Sequence, residues 1–250
     1  MNNYVFKEYK VWDIPTRIFH WVNFVSVISL IFVGFVMLYK AKLGISGIDA
    51  KIALKELHVI IGYVFGLNLI WRVIWGFIGN KYARWSSIFP NKGFLKNLHN
   101  YILSIKLSSQ STTEPQQFLG HNPLGRIAII TIMSLLLLLM ITGLMRAATD
   151  IYYPPFGSFV TKYIASSGVN PESISPYNST GTDKAKIDKI NAIRWPAGKI
   201  HRYSAYALML MIFLHVFFVI HAELKYGGGL ISAMITGKKI LKTKPIDNEQ

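Results

Sequence analysis

The chain of 250 residues has no cysteine and little charge. Without cysteine there are no disulfides, no iron–sulfur ligation, no thiolate zinc site and no thioether attachment of a cofactor, so metal chemistry falls to His or carboxylate. Charged residues are 16% of the chain, where soluble domains carry about 25%. With 52% hydrophobic residues, a disordered chain is excluded too. Acid is scarcer than base, with 12 Asp and Glu against 27 Lys and Arg, a formal net charge of +15. Such a charge can mark a nucleic-acid binder. At a mean hydropathy of +0.34, membrane topology explains it better, and no nucleic-acid partner is expected.

Four apolar stretches approach the roughly 20 residues that span a bilayer, at about 18–39, 57–79, 124–144 and 203–220. Asp13 and Pro15 precede the first, and no small-residue cleavage site follows it, so it reads as a retained span. There is no internal repeat and no low-complexity segment. Between spans two and three, Phe94, Leu95, Leu98, Tyr101, Ile102 and Ile105 recur at helical spacing among Lys92, Lys96 and Lys106, which predicts an amphipathic helix on the membrane surface. Residues 147–199 form the longest connection, rich in proline and polar residues, and read as an outer loop that is functional or partly disordered. The expected fold is an all-α membrane protein, one integral membrane domain over 1–250, built as a four-transmembrane-helix bundle. Thirteen Lys and Arg flank the spans on the side of the termini and eleven on the other, most of these in the long loop, which counts for less. Both termini and the amphipathic helix are therefore placed in the cytoplasm.

The histidines line up by depth. His20 starts span one on the inner side, and His58 starts span two on the outer side. His201 precedes span four at the outer level, and His215 follows 14 residues later, about 21 Å deeper and only about 40° off the same helix face. His58 can thus meet His201, and His20 can meet His215. A lone His near a helix end is more often interfacial or hydrogen-bonded than a ligand. Two on one face, with partners at both depths, read as two pairs of axial ligands for two haems, held without covalent attachment as b-type haem. Arg72, 14 residues after His58, falls on the same face at the inner depth. It reads as a counter-charge for a haem propionate, as a quinone-site residue, or as an arginine snorkelling from a helix end. His99 and His221 read as solvated or interfacial. Trp12, Trp21, Tyr82 and Trp85 suit an interfacial aromatic belt. Gly34, Gly62 and Gly66 make room either for a porphyrin face or for close helix packing.

At these positions the chain resembles the b-type cytochrome subunit of membrane-bound nickel–iron hydrogenases, within the bacterial cytochrome b561-like superfamily. The resemblance rests on Arg17-Ile-Phe-His20-Trp21 and on Arg72-Val-Ile-Trp75-Gly-Phe-Ile-Gly79-Asn80-Lys-Tyr82-Ala-Arg84. It rests further on Gly120-His121-Asn122-Pro123, on His201-Arg202-Tyr203 with His215, and on a tail of Gly229 to Gly237. It covers most of the chain outside about 150–195. Val33, Tyr206 and Met211 replace the family's usual Thr, Trp and Phe, and the outer loop is long and polar for the family.

The resemblance implies an electron-transfer subunit anchored in the bacterial inner membrane among lipid. Its partners would be the small and large subunits of a periplasm-facing hydrogenase. Electrons would cross two haem b groups, with His58 and His201 on the outer and His20 and His215 on the inner, to menaquinone or ubiquinone. His121 and Asn122 are the candidates for the quinone headgroup, since an imidazole and an amide offer a donor to each carbonyl. Asn122 before Pro123 also reads as a helix N-cap. The alternatives are a cytochrome b anchor of formate dehydrogenase or thiosulfate reductase type, a free-standing superoxide:quinone oxidoreductase, and a transporter with a histidine proton path.

Overall fold

Apolar side chains with no competing turn chemistry carry most of this sequence into long helices. The computed structural model describes residues 7–110 and 116–248. In chain order these form β1 (Lys7–Lys10), α1 (Ile14–Leu38), α2 (Ile48–Ile78), α3 (Trp85–Ile88), α4 (Phe94–Gln110), α5 (Pro123–Asp150), α6 (Gly157–Ile164), α7 (Lys184–Tyr226), α8 (Leu230–Thr236) and β2 (Lys238–Leu241). Helices α1, α2, α5 and α7 are long and apolar enough to cross a membrane. Large apolar side chains on them face outward, Phe32 at 68% and Leu67 at 70% exposure, as lipid-facing residues do. The protein is an all-α, multi-pass membrane protein, and α4 lies where the amphipathic pattern places it. Residues 111–115 of the connection after α4 lie outside the described residues.

The helices reach further than their apolar runs. The fourth starts at Lys184, so residues 184–199 are helix where the sequence reads as loop. Asp183 begins it: its carbonyl accepts from Ile187 N and its carboxylate from Lys186 N at 3.2 Å. Pro196 sits inside the helix. The remaining connection is folded. It holds α6, a 3₁₀ turn at Pro171–Ser173 with Asn170 as its cap, and a bridge between Ala165 and Thr182.

The chain divides into two units. One comprises Met1–Trp21, Leu69–Ser134 and Met209–Gln250. Its core packs Val11, Trp12, Leu119, Ala233 and Leu241 beneath the antiparallel pair β1–β2, in which Lys7 faces Leu241 and Lys10 faces Lys238. Trp12 is thus a core residue at 6% exposure and not part of an interfacial belt. The stretch after α2 is a locked turn. Asn80 donates to Val11 O at 2.7 Å and accepts from Tyr82 N and Ala83 N, while Arg84 returns to Gly79 O at 2.8 Å. Asp13 accepts from Thr16 N, Trp75 Nε1 and Asn80 N. Trp85 lies on Gly76, where a Cβ would come within 2.1 Å of its indole nitrogen, so only glycine fits.

The other unit comprises Val22–Asn68 and Leu135–Leu208. Asp150, at the end of α5, gathers Lys55 of α2 at 2.8 Å, Arg146 one turn before it, and Arg194 of α7 at 3.6 Å. Tyr63 of α2 donates to Pro154 O and stacks on Tyr153, fixing the chain that leaves α5.

Candidate functional site

In the second unit α2 and α7 bring His58 and His201 together, with ring centres 6.3 Å apart and planes at 71°. Thr142 of α5 holds the second ring, its Oγ1 lying 3.0 Å from His201 Nδ1. The hydroxyl already donates its single proton to Leu138 O at 2.7 Å, so towards the imidazole it is an acceptor. His201 therefore carries its proton on Nδ1, and Nε2 is left with a bare lone pair. Nδ1 of His58 is buried without a partner among the described residues. Small residues flank both rings: a Cβ on Gly34 would lie 3.8 Å from His58 Cε1, and one on Gly143 3.4 Å from His201 Cε1. Gly62, one turn after His58, adds no side chain, whereas Gly66 packs on Met140.

The first unit holds the remaining candidates. His20 meets Trp21 edge-on at 5.4 Å, has a buried Nδ1 without a partner among the described residues, and lies within electrostatic reach of His215. Arg72 is not a snorkelling residue. It is 5% exposed, donates to Ala83 O at 3.0 Å, and sits between the rings of Phe19 and Trp85 at 5.9 and 4.7 Å. Its other terminal nitrogen is buried without a partner among the described residues. His121 lies tilted against Trp12, with ring centres 4.7 Å apart and planes at 40°, and its Nδ1 is likewise buried and unmatched among the described residues. Burial, then the charges of Lys239, Arg72 and Arg126, push the His121 imidazole down to about 3, so it is neutral at physiological pH. Asn122 caps α5 by accepting from Gly125 N at 2.7 Å and donates to Tyr101 OH at 2.9 Å. Burial, with Tyr226 nearby, pushes the Tyr101 phenol up to about 12, so it keeps its proton. Thr142, Gly143 and Lys239 join these sites without having stood out in the sequence, and Tyr101 joins them having been read only as part of an amphipathic face. His221 stacks on Phe217 at 6.2 Å.

The model of the prokaryotic cytochrome b561 family matches residues 11–237. The chain belongs to this family. It is 24% identical to the "Probable Ni/Fe-hydrogenase B-type cytochrome subunit" of Rhizobium leguminosarum bv. viciae, over 94% of this chain and 90% of that one. It is 22% identical to the "Probable Ni/Fe-hydrogenase 1 B-type cytochrome subunit" of Escherichia coli (strain K12), over 96% and 94%. The relative named "Probable Ni/Fe-hydrogenase B-type cytochrome subunit" in Rhodobacter capsulatus is 21% identical, over 95% and 83%. No solved structure matches.

A b-type cytochrome carries non-covalently held haem, and the His58–His201 site fits that group. A metal between two imidazole nitrogens, about 2 Å from each, sets the ring centres about 6 Å apart. The chain has these two rings at that separation, with a bare Nε2 on one and glycines against both.

Proposed function

We propose that this chain is the two-haem membrane subunit of a nickel–iron hydrogenase, passing electrons from hydrogen to quinone. His58 and His201 would hold the haem nearer the periplasm, and His20 and His215 would hold the haem nearer the cytoplasm. The observation that carries this reading is the separation of His58 and His201, with Thr142 fixing the tautomer of His201. Both pairs draw one ligand from α7, a single helix. When bound, haem iron supplies one-electron transfer without proton uptake. The chain's own contribution is orientation and charge. Arg72, with a buried N–H unmatched among the described residues, is the partner for a propionate of the inner haem. His121 offers a neutral imidazole to one quinone carbonyl, and Asn122 has one amide N–H left beyond its bond to Tyr101. The relatives' names support a hydrogenase partner. The termini lie in the cytoplasm and the protein in the bacterial inner membrane.

Haem quantification and reduced-minus-oxidised spectra of the purified protein test this directly. Two haems per chain are expected. His58→Ala or His201→Ala removes one, and His20→Ala or His215→Ala removes the other. A His58→Ala protein that keeps both haems sinks the pairing. Capture of hydrogenase subunits with the tagged chain from its native membrane tests the partner.

A further inference from the structure

Strand β2 alternates exposed and buried side chains, and at its two central positions the alternation runs against their chemistry. Ile240 faces out at 43% exposure and Lys239 faces in at 5%. An inward ammonium is costly unless it is paired. Lys239 Nζ donates to Gly120 O at 3.0 Å and Phe118 O at 3.3 Å, and lies 5.5 Å from the centre of the Trp12 ring. The same indole covers His121. From the other edge, Asp247 accepts from Leu119 N and Gly120 N, both at 2.7 Å. The segment ahead of His121 is therefore gripped by an ammonium on its carbonyls and a carboxylate on its N–H groups.

We infer that Lys239, beyond gripping this segment, is the proton donor to the quinone at His121. The inference rests on the quinone reading above. The charged and titratable groups facing Lys239 are Asp247 from the turn at Ile246–Asn248, Tyr9 opposite it on β1, and His121. Arg72, Arg126 and His215 also bear on His121, but the arginines do not release protons at physiological pH and His215 is committed to the inner haem. His121 is neutral and stores no proton to give. Asp247 is occupied as acceptor of two backbone N–H groups. Of the groups that bear on His121, that leaves Lys239, whose ammonium burial pushes down to about 8 against the opposing charge of Asp247. Quinone gains two electrons, which originate in hydrogen and arrive through the haems, and two protons. In each transfer an N–H bond of Lys239 breaks and an O–H bond forms on a quinone oxygen. The neutral amine then takes a proton from hydronium on the same side, leaving water.

The test uses the hydrogenase–cytochrome complex with hydrogen as donor and 2,3-dimethyl-1,4-naphthoquinone as acceptor. Lys239→Arg keeps the charge and the two carbonyl bonds but holds its proton. It is expected to retain full haem content and wild-type haem reduction by hydrogen, while quinone turnover falls on the order of a hundredfold. Wild-type turnover should decline as pH rises through about 8, and Lys239→Arg should lack that limb. Wild-type turnover with an unchanged profile in Lys239→Arg overturns the inference and leaves Lys239 as a staple. A wild-type profile flat through pH 8 overturns it without recourse to any variant. Wild-type haems that hydrogen reduces but this quinone never reoxidises overturn the quinone reading and the inference with it.

Discussion

Thr142 determines which nitrogen of His201 is free, and it does so while its hydroxyl proton stays on its own helix. Its proton goes to Leu138 O and its lone pair to His201 Nδ1, so the imidazole is oriented before any metal arrives. Thr142→Val removes that acceptor at nearly constant volume. Haem at the His58–His201 site should then bind about 10- to 100-fold more weakly. Titration of haem into the stripped protein, followed through the spectrum, measures this, and the other haem should be untouched. The approach of His58 and His201 was legible in the sequence because helical spacing translates directly into depth and face. Thr142 was not, since its partner lies 59 residues away on another helix and no spacing rule links them. Lys239 was hidden in a different way. A lysine in a basic tail reads as solvated until the strand register turns it inward.

Among elements, the ends of the helices are where charge does the holding. Asp150 closes α5 and takes a cation from α2, one from α5 and one from α7. Its carboxylate and the Lys55 ammonium are 14% and 15% exposed, so these charges are largely out of water. Asp150→Asn would leave three cations around a neutral amide, and breaking a buried pair costs about 3 kcal/mol. Thermal loss of folded protein in detergent should occur at clearly lower temperature, and His58–His201 haem should be the first released. The four helices were readable from their apolar runs, but their ends were not. Hydropathy falls away at residues 184–199 although the helix continues through them. The available signal was Asp183 ahead of Lys186, a capping pattern that the prolines and polar residues around it outweighed. Gly79, Asn80 and Arg84 stood in the sequence only as parts of a family motif with no role attached, and their bonds show them locking a turn.

At the scale of the whole molecule, exposure and polarity are inverted relative to a soluble protein. Phe77 and Phe213 are 70% and 66% exposed while Arg72 and Ser204 are 5% and 7% exposed. This is the arrangement that lets hydrocarbon solvate the outside and reserves polar groups for sites. Which side of the membrane each end faces then decides where the protons of quinone reduction come from, because Lys239 draws on the water nearest β2. The lack of cysteine makes the orientation easy to measure, since any thiol introduced is the only one. Ser175 and Lys92 are both exposed in the structure, the first in the connection after α6 and the second just before α4. If the termini are cytoplasmic, a membrane-impermeant maleimide should label Ser175→Cys in intact cells and Lys92→Cys only after the membrane is opened. The reverse pattern would put the Lys239 end in the periplasm, and quinone reduction there would take no protons from the cytoplasm. With the expected pattern, hydrogen oxidised outside and protons consumed inside would make every turnover charge the membrane.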